Sequence, residues 1–397
     1  MISKKMRGSL AGSSVIREMF EEGNRLAKLY GSENVFDFSI GNPNVKPPDR
    51  VKTAIIEILE EEDANYIHGY MSNSGYEDVR KVIAQDINKK HGLNLTFKNI
   101  AMSVGAGGGL SVVFKTILDP DDEVITFSPY FGPYRDYVAD SNAKLVVVPT
   151  HLGSFEPDLD ALEAAITSKT KAILINNPNN PTGVVYGEEI IKGIAEITTK
   201  KSEELNKTIY IVSDDPYREI VYDDIEVPYM LNYYTNSFSV YSYSKSLSLP
   251  GERIGYVAFL PEMEEAEVIE ICLSNATRNL GFTNAPSLFQ RVIMKCIDET
   301  VDVDVYKRNR DLLYNHLLDL GFQCTKPQGA FYLFSKALEE DDKAFVATAK
   351  KYNILIVPGS AFGCPGYFRA SYCIAYEKIE KSLEAWTKLA NEYKNNK

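Results

Sequence analysis

The chain reads as an α/β protein built on a mostly parallel, seven-stranded sheet sandwiched by helices, with a second, smaller α+β domain. Two observations predict this. Seven short Val- and Ile-rich runs alternate with helical patterns between residues 100 and 260. After residue 284 the alternation stops, and a long helical stretch, one strand-like run and a terminal helix follow.

The seven runs lie at 100–105, 123–128, 144–149, 172–176, 209–213, 238–243 and 254–260. Gly, Pro, Asn or Asp bounds them, as expected of buried strands. Ser74 with Glu77 reads as a capping box, ahead of a helix with Val79, Val82, Ile83 and Ile87 on one face. Leu159, Leu162, Ala165 and Ile166 repeat that pattern after Pro157 and Asp158. The C-terminal third holds a helical stretch at 284–320 and a strand-like run at 329–335. Its terminal helix carries Ile379, Leu383, Trp386, Ala390 and Tyr393 on one stripe. The segment up to about Pro47 lacks the alternation and is expected to pack with this third. The expected division is a large domain at 48–285 and a small one formed by 1–47 plus 286–397.

Bulk properties narrow the function classes. A length of 397 residues suggests two or three domains, and 44% apolar with 25% charged residues is ordinary for a globular chain. A net charge of −12 argues against nucleic acid or an anionic membrane as partner, while leaving room for a local basic pocket. The five cysteines (Cys272, Cys296, Cys324, Cys364, Cys373) form no CxxC pair, and there are only 4 histidines. A metal site or a disulfide framework is therefore not expected, and a cytoplasmic location fits. Residues 8–14 are small and polar, so neither a signal peptide nor a membrane span is expected.

Five strand ends carry residues suited to chemistry. Lys245 follows the run at 238–243, among Ser242, Ser244 and Ser246, with Arg253 eight residues on. A desolvated lysine is a nucleophile, and serines with an arginine make an anion site. An amine beside a phosphate cradle suggests a cofactor with an aldehyde at one end and a phosphate at the other, pyridoxal 5'-phosphate. Gly105-Ala106-Gly107-Gly108-Gly109 follows a strand and opens a helix, where backbone amides can approach an anion; a tightly packed turn is the alternative. Phe131 sits in an aromatic stretch that suits either stacking on a planar ring or core packing. The run from Asn176 to Gly183 is a dense polar loop at a strand's carboxyl end, where α/β sheets bind ligands. Asp214 or Asp215 can hold a pyridine nitrogen protonated, which makes the ring an electron sink. Arg369, in an apolar stretch, needs an anion, either a substrate carboxylate or an internal acid.

Taken in order and spacing, Gly41-Asn42-Pro43 and the segments 70–75, 105–109, 176–183, 214–217, 242–253, 358–363 and Arg369 resemble the fold-type-I pyridoxal-phosphate-dependent aminotransferases, the aspartate aminotransferase superfamily. The resemblance spans nearly the whole chain. It implies that Lys245 forms the Schiff base with the cofactor and then moves a proton. It favours Asp214, three residues before Tyr217, as the partner of the pyridinium nitrogen. Asn180 and Tyr217 would bond the ring hydroxyl, and Phe131 would stack on the ring. Gly105, Ala106, Gly107, Ser242 and Arg253 would hold the phosphate. Arg369 would grip the substrate α-carboxylate, with Gly41 and Asn180 beside it. Tyr70 would reach the phosphate in a neighbouring subunit, which implies a homodimer. A cis peptide at Asn180-Pro181 is a further implication.

Two departures stand out. The Gly105 loop lacks the side chain that many relatives place on the phosphate, so backbone amides or Ser103 must serve. Phe131 stands where aspartate-specific relatives often carry Trp. The implied reaction is ping-pong transfer of an amino group from an L-amino acid to a 2-oxo acid, commonly 2-oxoglutarate. A β-lyase on the same scaffold is the alternative within enzymes. A non-catalytic regulatory module is disfavoured by the negative charge and the short N-terminal extension. For a dicarboxylate side chain, the candidate second cations are Arg278 and the cluster at 307–310.

Overall fold

The computed structural model describes residues 15–395 together with Ile2, Met6 and Arg7. The polar segment at 8–14 on which the leader-peptide expectation rests lies outside the described residues. The strands are β1 Phe36–Asp37, β2 Ile100–Ser103, β3 Glu123–Phe127, β4 Lys144–Val148, β5 Thr170–Asn176, β6 Tyr210–Asp214, β7 Ser237–Ser242, β8 Gly255–Phe259, β9 Tyr332–Lys336, β10 Ile354–Leu355, β11 Val357–Pro358 and β12 Tyr367–Ser371.

Seven of them form one sheet in the order β2-β8-β7-β6-β5-β3-β4. Every pairing in it is parallel except those of β8, which runs against both neighbours. The sequences of the central strands explain their place. Successive side chains point to opposite faces, so a strand covered on both sides must be apolar at consecutive positions. Val124, Leu174, Val212, Val240 and Val257 face the helices Gly105–Ile117 and Ala266–Asn279. Ile125, Ile173, Ile175 and Ile211 face the other way, onto Leu162, Ile191 and Ile194 of the helices Leu159–Ala165 and Glu188–Leu205.

A three-stranded antiparallel sheet, β11-β12-β9, and the parallel pair β1-β10 make up the rest. Their core gathers Phe322, Phe345, Phe368 and Trp386. Phe38 joins it at 5.8 Å from the Trp386 ring, and β1 pairs with β10, so the early segment is built into this core.

Two local expectations fail. Ser74 caps nothing: the helix begins at Glu77 after Tyr76, whose N–H donates to Gln290 Oε1 at 3.0 Å. Ser74 is instead committed through its carbonyl to Met102 N–H, which ties the segment to β2. The long helical stretch is two helices, Ser287–Lys295 and Val303–Asp319, the second capped by Asp302. The break lets Val301 N–H donate to Ser246 O, behind the turn that carries Lys245. The first of the two packs Val292 and Ile293 against Val51, Ala54 and Ile58 of the helix Asp49–Glu61. No helix among the described residues is long and apolar enough to cross a membrane.

Trp386 is the only tryptophan and is fully buried, so its emission reports this core directly. Phe38→Ala is expected to lower stability by about 3–5 kcal/mol through the cavity it leaves. Urea unfolding followed by Trp386 fluorescence measures this.

Candidate active site

Ser103 at the end of β2 and Ser242 at the end of β7 both pair with Gly255, and Asn176 pairs with Asp214. The carboxyl ends of β2, β3, β5, β6 and β7 thus share one edge of the sheet. A cavity of about 290 Å³ opens there. Its walls include Gly41, Ala106, Gly107, Phe131, Asn180, Asp214, Tyr217, Ser242, Lys245, Arg253 and Arg369.

Lys245 rides on the one-turn helix Tyr243–Ser246, whose first turn is capped by Ser242 Oγ accepting from Ser244 N–H. Its Nζ donates to Gly41 O at 2.9 Å and lies 5.2 Å from the Phe331 ring centre. Burial disfavours the ammonium and pushes the amine down to about 8. Arg253 and Arg369 push the same way. The nearby Cys373 thiol opposes them, but burial raises it to about 11, so it is neutral near pH 7 and offsets little.

Asp214 ends β6 and is buried. Its Oδ2 accepts from Tyr134 Oη at 2.6 Å, while Oδ1 has no partner. Burial pushes the carboxyl up to about 7 against the pull of the Tyr134 bond. Asp215 is also buried and raised by burial, but it differs in its partners and its place. Both its oxygens are satisfied, by Ser213 Oγ at 2.6 Å and Ser239 Oγ at 2.5 Å, and it does not line the cavity. Of the two acids, Asp214 is the one open to a ligand.

The helix Gly105–Ile117 starts without a side-chain cap, so its first amides are unclaimed by one. Gly105 has φ +65°, and a Cβ there would lie 2.6 Å from Arg253 Nη2. Glycine thus lets the guanidinium close on the helix N-terminus. Among the described residues Arg253 donates only to neutral oxygens: Pro250 O at 3.2 Å, and Val104 O and Ser244 Oγ at 3.5 Å. The Ser242 and Ser244 hydroxyls, 2.7 Å apart, complete this corner. Ser103 does not contribute to it. Its hydroxyl donates back to Gly105 O at 3.1 Å, and it lies outside the lining.

Arg369 on β12 is buried without a carboxylate partner among the described residues. Its Nη1 donates to Asn180 Oδ1 at 3.0 Å and its Nη2 to Ser39 O at 2.7 Å; its Nε has no partner. An internal ion pair is therefore not its role. Phe131 stands edge-on to Tyr134, ring centres 5.5 Å apart. The Asn180-Pro181 bond is cis, as are Ser128-Pro129 and Asn177-Pro178.

Some residues lie elsewhere. Tyr70 is 93% exposed and outside the lining. The candidate second cations are also absent from the cavity. Arg310 is paired with Asp223 and Asp311, Lys307 with Asp223, Arg308 covers Tyr376, and Arg278 is not in the lining. Sequence reading assigned no role to Tyr134, Tyr137, Asn176 and Tyr332, all in contact with the site or its acid, and named Ser244 only among the serines around Lys245. Each lies inside or beside a quoted stretch. Only folding shows which of its side chains turn inward.

A desolvated amine, a half-satisfied acid and an anion corner on one sheet edge define an enzyme of the pyridoxal-phosphate type. Asp214 Oδ1 awaits a cationic N–H, and the Gly105 amides with Arg253 await a phosphate; these residues fit that cofactor. The profile of the class I and II aminotransferases matches residues 33–385, and the chain belongs to that family. It is a pyridoxal-phosphate-dependent aminotransferase. It is 33% identical to a probable aspartate/prephenate aminotransferase of Aquifex aeolicus, over 90% of this chain and 92% of the other. It is 30% identical to aromatic-amino-acid aminotransferase 2 of Thermococcus litoralis, over 98% of each chain. Among solved structures, an amino transferase from Eubacterium rectale superposes with TM-score 0.96, 46% identity and 99% coverage of both chains. These matches favour transamination over elimination on the same scaffold.

In the cofactor-free protein Asp214 keeps its proton up to about 7, against an ordinary 3.8. Between those values the folded state binds more protons than the unfolded one. The contribution of Asp214 to stability is thus greatest below the lower value and is lost as pH rises through about 7. Cofactor-free Asp214→Asn is expected to gain roughly 2–3 kcal/mol relative to wild type between about pH 5 and pH 8. Urea unfolding at the two pH values measures this.

Proposed function

We propose that the cavity is where an L-amino acid gives its amino group to a 2-oxo acid, with 2-oxoglutarate as the usual acceptor. The single observation that carries the residue assignment is Asp214 Oδ1, a buried carboxylate oxygen facing a cavity with no partner. Asp214 pairs with the pyridine nitrogen of the cofactor. When bound, the protonated ring takes up the electron pair left at the substrate α-carbon. Gly105, Ala106, Gly107, Ser242 and Arg253 hold the phosphate, and Phe131 covers one face of the ring. Asn180 and Tyr217 bond its phenolic oxygen.

Lys245 Nζ anchors the cofactor. Once displaced by substrate, it would remove the α-proton and return it two bonds away, at what was the aldehyde carbon of the cofactor. A value near 8, well below the ordinary 10.5, suits both tasks, because about a tenth of the amine is free at pH 7 and half at pH 8. Arg369 turns from Asn180 and Ser39 to hold the α-carboxylate bidentately, and Gly41 faces the same group. The cationic residues of the lining are Lys245, Arg253 and Arg369. Each is already assigned, so the second carboxylate of 2-oxoglutarate requires a cation from outside this lining.

The active form in this reading is a cytoplasmic homodimer. The support is Tyr70, an aromatic almost wholly exposed on a single chain. In a dimer it would reach the phosphate of the neighbouring site. The division into 48–285 and 1–47 plus 286–397 is part of the same reading. The helix Ser287–Lys295, packed on Asp49–Glu61, argues for moving the boundary past it.

Borohydride reduction and peptide mapping of the holoprotein are expected to find pyridoxyl on Lys245, and Lys245→Ala is expected to abolish turnover. An adduct at another lysine would overturn the assignment. Cofactor uptake by the apoprotein is expected to speed up as pH rises through about 8, following the free amine. Stopped-flow absorbance reads this. A half-reaction screen of single amino acids against the cofactor-loaded enzyme then ranks donors.

A further inference from the structure

Tyr332 opens β9 in the smaller sheet, yet its side chain reaches the cavity at the edge of the larger one. It is buried, and its hydroxyl oxygen lies 3.0 Å from that of Tyr217. Tyr217 is the only hydrogen-bond partner of that hydroxyl among the described residues. The ring of Tyr332 lies under Arg369, with the guanidinium carbon 4.4 Å from its centre. A side chain on Gly41 would overlap the Tyr332 hydroxyl, so the glycine leaves room for this contact.

Proton counting then assigns a direction. A phenol has one proton to donate. With Tyr217 donating to the phenolic oxygen of the cofactor, its own oxygen is left as an acceptor, and the Tyr332 hydroxyl is the donor at hand. We propose that Tyr332 is a positioning residue that donates to Tyr217 and so strengthens Tyr217 as a donor to the cofactor's ring oxygen. The inference rests on the role of Tyr217 given above. Hydrogen bonds in a chain polarise one another. A stronger donor favours negative charge on the ring oxygen, which shares a proton with the nitrogen linked to Lys245. Tyr332 therefore lowers the pH at which that nitrogen gives up its proton.

The test uses the cofactor-loaded wild type and Tyr332→Phe, which removes the hydroxyl and keeps the ring under Arg369. Cofactor content is measured by alkaline release, and the absorbance of the bound cofactor is titrated against pH. Full content is expected in both, with the midpoint of Tyr332→Phe raised by about half a unit to one unit. Tyr217→Phe is expected to raise the midpoint as well, and adding Tyr332→Phe to it is expected to move it little further. Should the phenylalanine variant load poorly, Tyr332→Met, which also lacks the hydroxyl, takes its place.

An unchanged midpoint with full content would overturn the inference. So would an equal shift with and without the Tyr217 hydroxyl, or an unchanged midpoint with a several-fold rise in KM for the amino acid, which would make Tyr332 a substrate contact. If the wild type carries no cofactor on Lys245, the parent reading fails with it. That failure is visible before any variant is made.

Discussion

The site depends on one topological constraint: β2, β3, β5, β6 and β7 all end at the same edge of the large sheet. Parallel strands must be reached by crossovers rather than hairpins, so β2, β3, β5 and β6 each end in a loop whose backbone groups are not consumed by one, while β7 ends in the Tyr243–Ser246 turn before antiparallel β8. Residues separated by more than a hundred positions, such as Ala106 and Asp214, thereby share one cavity. β8 alone runs the other way, and it delivers Gly255 opposite both Ser103 and Ser242. That lets Arg253, just before it, fold onto the start of the Gly105–Ile117 helix.

At that edge the protein keeps three ionisable groups dry and incompletely paired. Burial pushes Lys245 down, Asp214 up and Arg369 down, each toward its neutral form. A fold optimised only for stability would pair or replace them. Their unmet needs are complementary to a cofactor and its substrate: an aldehyde for the amine, a protonated ring nitrogen for the acid, and a carboxylate for the guanidinium.

The segment from Phe38 to Val45 links the two sheets through its carbonyls. Phe38 O accepts from Ser371 N–H, Ser39 O from Arg369, Gly41 O from Lys245, Asn42 O from the Cys373 thiol, and Val45 O from Ser248. Two of those five donors are the groups that cofactor and substrate would claim. If Lys245 and Arg369 take the roles proposed above, ligand binding would be coupled to the placement of this segment through these shared hydrogen bonds.

Strand count, β-α alternation and the identity of the polar clusters were legible along the chain, because buried strands and glycine-rich turns leave local patterns. Lys245, Asn180, Arg253 and Arg369 stand in stretches that each admit an ordinary structural reading; their coincidence in order and spacing is what pointed to an anion-binding, amine-bearing site. The choice between Asp214 and Asp215 was not local on residue chemistry alone. Adjacent residues on a strand face opposite ways, and only the sheet decides which face is the cavity. Tyr134 and Tyr332 were invisible for the same reason: nothing in a run of aromatics says which ring turns toward a ligand. Ser74 and the break at residues 296–302 were misread because their hydrogen-bond partners, Met102 and Ser246, are remote in sequence. Wherever a local preference competes with a distant partner, the outcome belongs to the folded chain, since the distant bond forms only when the chain has closed on itself.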